Sequence, residues 1–196
     1  MADQILLNNE VYHPTENELP CLITYSEKVG GSHFSITLAA DLCLSGSKIL
    51  FFCAYPMAKD NFIKQLEGSE STLLIVTDED QIKTSPQAMI IQSGNEKLLM
   101  AAIQRIGDLP ERILFIKNIE AMSPDIVDAC LKFDKVILSG NLDKCARREV
   151  ISKKHFNSIV VFTKPETPLP IEPPILEKFT GYLWSDNRTG LVKVSR

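Results

Sequence analysis

The sequence contains no apolar run that approaches the ~20 residues needed to span a bilayer. Its start has no basic stretch followed by an apolar one, so we expect no signal peptide. Positive charge is not in excess either: the formal net charge is −4, whereas a protein that coats nucleic acid or anionic membrane is ordinarily basic. We therefore expect a cytoplasmic protein, or a nuclear one in a eukaryotic cell, with no membrane partner.

Residues that bind metals or act as nucleophiles are sparse and scattered. The three histidines stand at positions 13, 33 and 155, and no HExxH spacing, Ser/His/Asp order or Cys/His pair is present. We therefore predict no metal site and no catalytic residue. The cysteines number five and are widely spaced, which predicts buried free thiols in a reducing compartment.

The chain alternates between two kinds of apolar pattern. Continuous runs rich in β-branched residues and Phe indicate strands, at 22–25, 48–55, 72–77, 88–92, 112–116, 135–138 and 158–163. Apolar residues spaced three and four apart indicate helices, at 34–42, 58–66, 96–106 and 123–133. Strands that alternate with helices predict an α/β fold with a mostly parallel sheet covered on both faces.

The length and composition fit one domain. Of the 196 residues, 44% are hydrophobic and 23% are charged, which is enough for a normal core. We treat 1–196 as a single domain with an N-terminal extension at 1–18. The segment 164–178 holds five prolines and is predicted to be an extended connection. After it, 181–185 and 191–194 flank a turn signal, which predicts a C-terminal β-hairpin.

The first strand-like run leads into a glycine-containing loop and then a helix, the context in which a phosphate-binding loop occurs. Such a loop has the pattern G-x-x-x-x-G-K-[ST], in which the lysine neutralises phosphate charge and the hydroxyl holds Mg²⁺. Laid over that pattern, Ser26 stands for the first glycine and Gly31 for the second, while Ser32 replaces the lysine and His33 the hydroxyl residue. One key position of four is matched.

The run 112–116 corresponds to the strand that carries the magnesium carboxylate in ATPases of this kind. Lys117 stands at the aspartate position and Asn118 follows it. A lysine where the metal's carboxylate belongs opposes Mg²⁺ binding electrostatically. Glu120 lies beyond the strand end, and we interpret it as a helix-start residue. Both parts of the metal–phosphate site are therefore altered.

The order of elements resembles the core of RecA/KaiC-type P-loop ATPases over residues 19–196, and the ending at 191–196 resembles that family's last strand. The resemblance implies a RecA-like sheet and a nucleotide contact through the backbone of Gly31. Ring subunits of Elongator and some recombinase-accessory paralogues are RecA-like proteins that lack the phosphate loop and act in assembly. The similarity to them implies a pseudo-ATPase that forms a homo-oligomer or binds a RecA-like paralogue.

The predicted degenerate nucleotide or anion site consists of Lys28, Gly30, Gly31, Ser32, His33 and Lys117. No cofactor is expected, although the helix N-terminus at 32–34 leaves weak nucleotide or phosphate binding open. The early basic residue in Ser26-x-Lys28-Val29-Gly30 resembles the loops of some phage DNA-packaging motors. An ATPase that uses Lys28 or Lys117 for the phosphates is therefore the alternative to a non-hydrolysing subunit.

A basic cluster follows the sixth strand-like run in an otherwise acidic protein. It predicts a surface for nucleic acid or an acidic partner, with an ordinary solvated helix face as the competing interpretation. Its residues are Lys144, Arg147, Arg148, Lys153, Lys154 and His155. A DNA- or RNA-binding accessory factor is accordingly the third functional hypothesis.

Overall fold

The computed structural model describes residues 4–13, 15–106 and 111–195. Within them lies one 11-stranded sheet. Its strands are β1 (Gln4–Leu7), β2 (Glu10–Val11), β3 (Cys21–Thr24), β4 (Lys48–Cys53), β5 (Leu73–Val76), β6 (Ala88–Ile91), β7 (Arg112–Lys117), β8 (Val136–Gly140), β9 (Ser158–Val161), β10 (Gly181–Ser185) and β11 (Thr189–Ser195). Its α-helices are α1 (Gly31–Leu44), α2 (Pro56–Leu66), α3 (Glu96–Ile106), α4 (Pro124–Cys130) and α5 (Arg148–Lys153).

The strands lie in the order β2-β1-β11-β10-β9-β3-β8-β7-β4-β6-β5. All pairs from β9 to β5 are parallel, and the pairs from β9 to β2 are antiparallel. The predicted α/β class, the mostly parallel sheet and the C-terminal hairpin are confirmed. Parallel pairing follows from the helices and loops that return the chain to the same end of the sheet before each new strand.

Side chains alternate between two hydrophobic cores, one on each face of the sheet. In β4, Ile49 and Phe51 belong to cluster 1, beneath α1 and α2, and Leu50 and Phe52 belong to cluster 2, beneath α3, α4 and α5. Phe51 stacks on Phe62 of α2 with ring centroids 4.4 Å apart. Burial on both faces explains why the central strands read as continuous apolar runs.

Two helices differ from the sequence expectation. The predicted helix at 123–133 ends earlier, as α4 at Cys130. Its last turn tightens, because Lys132 and Phe133 donate their N–H groups to the carbonyls of Ala129 and Cys130, which is 3₁₀ geometry. The helix α5 has only six residues, too few for a periodic pattern to indicate it.

The N-terminal segment from Gln4 to Val11 contributes two strands to the sheet. β1 pairs antiparallel with β11, and the buried carboxylate of Glu18 joins the following segment to the C-terminal hairpin. That carboxylate accepts hydrogen bonds from Tyr12 Oη at 2.6 Å and from Arg188 Nε at 2.9 Å. Among the described residues, no helix has the length and apolar character required to cross a membrane.

Candidate functional site

The candidate site lies at the carboxyl ends of four neighbouring strands, β3, β8, β7 and β4. Thr24 of β3 pairs with Gly140 of β8, while Lys117 of β7 pairs with Ser139 of β8 and with Cys53 of β4. The chain leaves β3 through the loop 25–30 and enters α1 directly. Ligands of open parallel sheets bind outside these carboxyl ends, so the fold brings together the two altered segments found in the sequence.

The loop 25–30 has a left-handed backbone at two positions. Lys28 has φ 63°, and Gly30, the N-cap of α1, has φ 95°. Ser26 is held by a 2.9 Å hydrogen bond between its Oγ and Oγ1 of Thr163, just beyond β9. Lys28 is exposed, and its amino group forms no hydrogen bond or ion pair with a described residue. Gly31, Ser32 and His33 form the first turn of α1, as the sequence predicts a helix to start near here.

Tyr25, the first loop residue, folds back against the start of α1. The side chain is 8% exposed, and a Cβ added at Gly31 would lie 2.5 Å from Tyr25 Cβ and Cγ. Real Cβ atoms do not approach so closely. In this structure the glycine at 31 is therefore required by the tyrosine that packs against it.

Lys117 lies beneath this tyrosine. Its side chain is 1% exposed, and its Nζ donates to Tyr25 Oη at 2.5 Å and to Ser35 Oγ of α1 at 3.2 Å. Ser139 Oγ donates to the same tyrosine oxygen at 3.4 Å. We call Tyr25, Ser35, Lys117 and Ser139 the Tyr–Lys plug.

The plug is basic and lacks a carboxylate. Among the described residues, no Asp or Glu forms an ion pair with Lys117. Burial is the main reason that the pKa of the neighbouring Cys53 thiol is raised, and the positive charge of Lys117 partly opposes that shift. A buried amino group without a counter-ion repels a divalent cation and lies too deep to contact a phosphate in bulk solvent.

Glu120, the acidic residue nearest the end of β7, has a structural position. It lies in the 3₁₀ turn Ile119–Ala121, as expected for a helix-start residue. One carboxylate oxygen accepts from the N–H of Asn141 at 2.9 Å, and the other from Nδ2 of Asn118 at 3.4 Å. A Cβ at Gly140 would lie 2.1 Å from Glu120 Oε2. The carboxylate therefore joins the ends of β7 and β8.

The basic cluster forms a separate surface around α5. Its members Lys144, Arg147 and Arg148 line an open concavity of about 490 Å³ together with Asp143 and Glu149, but several cations of the cluster are engaged within the protein. Arg147 forms an ion pair with Asp128 at 2.6 Å, and Lys144 forms one with Glu27 at 3.7 Å.

The other members of the cluster differ in their exposure. Lys154 Nζ donates to the Leu131 carbonyl at 2.7 Å, and burial lowers the pKa of this lysine. Arg148 donates to the Asp143 carbonyl at 3.0 Å, and Lys153 is exposed.

An apolar cavity of about 420 Å³ adjoins the start of α1. It is lined by Gly30, His33, Phe162, Phe179 and Val194. Phe179 packs against Gly30, where a Cβ would lie 3.2 Å from the Phe179 Cα. This cavity lies outside the Tyr–Lys plug, and aromatic rings rather than cations form most of its wall.

The structure divides the predicted anion site into two parts. Lys28, Gly30, Gly31, Ser32 and His33 lie together on the loop and the first helical turn, whereas Lys117 lies buried behind Tyr25. Sequence reasoning missed Tyr25, Ser35 and Ser139. The available signal was a large polar aromatic residue at the end of the first strand, where a phosphate loop needs space. Within 4–13, 15–106 and 111–195, no three His, Cys, Asp or Glu residues are grouped as metal ligands.

No protein-family model matches the chain. No curated protein matches it either. The similar solved structures include the genome packaging NTPase B204 of Sulfolobus turreted icosahedral virus 2, in complexes with ATP-gammaS and with AMPPCP. The two complexes have TM-scores of 0.49 and 0.48 and identities of 12% and 11%, and each match covers 93% of this chain and 98% of the other.

The SWI2/SNF2 ATPase core of Sulfolobus solfataricus, in complex with dsDNA, has a TM-score of 0.43 and 14% identity, over 62% of this chain and 27% of the other. All three TM-scores lie below 0.5. The nucleotides and DNA in those structures are ligands of those proteins, and this chain's chemistry follows from its own residues.

Proposed function

We propose that this chain is a non-hydrolysing, RecA-like subunit that assembles with itself or with a RecA-like paralogue in a larger complex. The observation that carries the proposal is the 2.5 Å hydrogen bond from Lys117 Nζ to Tyr25 Oη. It closes the space between the end of β7, the loop after β3 and the first turns of α1. In a P-loop ATPase, magnesium and the outer phosphates are bound at the corresponding position.

The electrostatics support the absence of hydrolysis. Mg²⁺ requires oxygen ligands, usually one or two carboxylates together with phosphate oxygens and water. Lys117 supplies a positive group at the carboxylate position, and Glu120 is already bonded to the Asn141 amide. Seating a metal here would require breaking the plug and leaving a buried amino group next to a divalent cation.

The assembly role rests on the resemblance to catalytically silent RecA-like subunits and on apolar side chains that the fold leaves uncovered. Met57 is 75% exposed, Tyr55 is 53% exposed and Ile175 is fully exposed. Single exposed apolar residues are ordinary, but neighbouring ones favour a contact surface. Tyr55 and Met57 stand on either side of Pro56 in the sequence, where α2 begins.

Phosphate release from ATP with and without Mg²⁺ tests the enzymatic part of the proposal. We expect no release above background for the wild type or for the Lys28→Ala and Lys117→Met variants. Turnover that Lys28→Ala abolishes would instead establish the ATPase with an atypical loop, since Lys28 is exposed at the loop surface.

Native mass measurement tests the assembly part independently. We expect a homo-oligomer or a co-purifying paralogue. A protein that stays monomeric at roughly tens of micromolar, where specific complexes of ordinary affinity form, and that retains no partner on purification contradicts assembly.

Nucleic-acid binding is the second candidate, and the concavity around Arg147 and Arg148 is the observation that favours it. The cleanest test reverses Arg148 and Lys153 to Glu, because Arg147 is needed by Asp128. The matched control reverses Lys83 and Lys178, which are exposed elsewhere. If nucleic acid binds here, affinity falls in the first variant only, and the slope of log affinity against log salt decreases. Absence of salt-dependent binding removes this candidate.

A further inference from the structure

In the part of the chain that the structure describes, the sheet ends at β5 and the outer edge of this strand is open. β5 pairs with β6 on one side, and no strand follows it in the sheet among the described residues. The carbonyls of Thr72 and Val76 accept hydrogen bonds from β6 or its continuation at 3.0 and 2.9 Å. Because the bonding direction alternates along a parallel strand, Leu73 and Ile75 point their N–H and C=O groups outward.

The same two residues expose apolar side chains. Leu73 is 38% exposed and Ile75 is 46% exposed, and their register with Ala88 and Ile90 places them on the cluster 1 face. α2 covers that face over β4, where Phe62 stacks on Phe51. Leu73 and Ile75 lie beyond this cover. An open edge therefore offers main-chain donors, acceptors and two apolar side chains together.

Acidic residues flank the edge at both ends. They are Glu67, Glu70, Asp78, Glu79 and Asp80, all exposed, and none forms an ion pair with a described cation. If two copies paired antiparallel through β5, the acids before one strand would lie beside the acids after the other. Like charges facing each other across strands are destabilising. The charges thus oppose a second copy and favour a cationic chain.

We propose that the open edge of β5 binds an extended segment of a partner protein that adds a strand to the sheet. The segment carries apolar residues at alternate positions, to pack on Leu73 and Ile75, and Lys or Arg at both ends, to face the flanking acids. Main-chain bonds give such a complex affinity, and the alternate side chains and charges give specificity. This inference goes beyond the proposed assembly role, because it names the surface and the chemistry of the partner.

Fluorescence anisotropy tests the proposal with a labelled peptide that has two lysines at each end and alternating valine and threonine between them. The first control peptide replaces the lysines with glutamates. The second keeps every side chain but is N-methylated at each valine and threonine, which removes the main-chain donors. We expect each control to bind at least ~10-fold more weakly, the loss that follows from about 1.4 kcal/mol.

Two protein variants localise the binding. Ile75→Lys removes an apolar contact and adds a charge that repels the peptide, and we expect at least a ~10-fold loss, of the size that 1.4 kcal/mol produces. Ile175→Lys makes the same change at a fully exposed isoleucine in the proline-rich connection and should bind as the wild type does. Thermal unfolding of both variants checks that they are folded.

Equal binding of the N-methylated peptide, or of the glutamate peptide, overturns the proposal. Self-association of the wild type that Ile75→Lys abolishes would also overturn it, in favour of a second copy at this edge. These outcomes are independent of ATP turnover. The failure of this inference is therefore distinguishable from failure of the proposed non-hydrolysing role.

Discussion

A side chain at residue 31 would overlap Tyr25, since an added Cβ would lie 2.5 Å from the Tyr25 Cβ and Cγ. The Tyr25 side chain therefore fills the space beside Gly31, the residue that stands for the second glycine of a phosphate loop. This relationship and the buried lysine beside it distinguish the loop from one that is free to surround a phosphate.

The first prediction concerns Gly31→Ala. Overpacking against Tyr25 should destabilise the protein by about 1–3 kcal/mol, measured by chemical denaturation. In a Tyr25→Gly background, which removes both the Cβ and the ring at position 25, the clash is absent, so the same change should cost at least ~1 kcal/mol less. An equal effect in both backgrounds would contradict the packing explanation.

The second prediction concerns the pair Lys117 and Tyr25. Lys117→Met replaces a buried polar group with an apolar one of similar volume, and we expect stability to stay the same or rise by ~1–3 kcal/mol. Tyr25→Phe alone should destabilise by about 1–3 kcal/mol, because it leaves the buried amino group without its shortest hydrogen bond. Thermal or chemical unfolding of each variant measures these effects.

The control for that pair is the double variant. With Met at 117, Tyr25→Phe should have little effect, which gives a coupling of at least ~1 kcal/mol. Additive effects of the two substitutions would show that the hydrogen bond between them does not stabilise the fold.

The third prediction concerns pH and Asp41, in the last turn of α1. Burial raises the pKa of this carboxyl to about 6 from its ordinary value of 3.8, and His13 partly opposes the shift. The folded state therefore binds this proton more tightly than the unfolded state, so the contribution of Asp41 to stability is fully present below pH 3.8 and is lost as the pH rises through about 6.

Asp41→Asn should remove this dependence and raise stability at neutral pH. The carboxyl is only partly buried, so the gain should be about 1 kcal/mol, below the ~3 kcal/mol that the full shift implies. Denaturation curves between about pH 4 and 7, around the ordinary range of Asp, check it. The exposed Asp186→Asn serves as the control, and an unchanged slope in Asp41→Asn would contradict the prediction.

The fourth prediction concerns Arg112, at the start of β7. Its buried guanidinium donates to four carbonyls, including those of Ile49 at 3.1 Å and Pro86 at 2.8 Å. Lysine cannot reproduce this fork, so Arg112→Lys should destabilise by about 2–4 kcal/mol. Arg105→Lys, at an exposed arginine that donates to one carbonyl, should change stability by less than ~0.5 kcal/mol. Chemical denaturation compares the two.

Local sequence patterns were sufficient for most elements of the fold. The bounds of α3 match the predicted 96–106, because an amphipathic helix carries its periodicity within itself. The central strands match within about two residues, as continuous apolar runs do when both faces of a strand are buried. The sequence did not predict the strand β2 or the helix α5, because elements of two and six residues are too short to show a periodic pattern.

The site was predicted only in part. The sequence identified the loop 26–33 and the lysine at 117 as departures from a phosphate and magnesium site. It also interpreted Glu120 as a helix-start residue, and the 3₁₀ turn contains it. The sequence identified the residues of the basic cluster, but it did not show that several of these cations are bonded to groups within the protein. The pairing of Arg147 with Asp128 depends on how α5 packs beside α4.

The sequence by itself determined which residues stand at the two critical positions and that the chain alternates strands with helices, since both are properties of neighbouring residues. Only the tertiary structure decided that Lys117 is buried against Tyr25, 92 positions away. That contact depends on β8 lying between β3 and β7 and on the register of all three strands. Strand order and register are set by packing across the whole sheet, which no local pattern encodes.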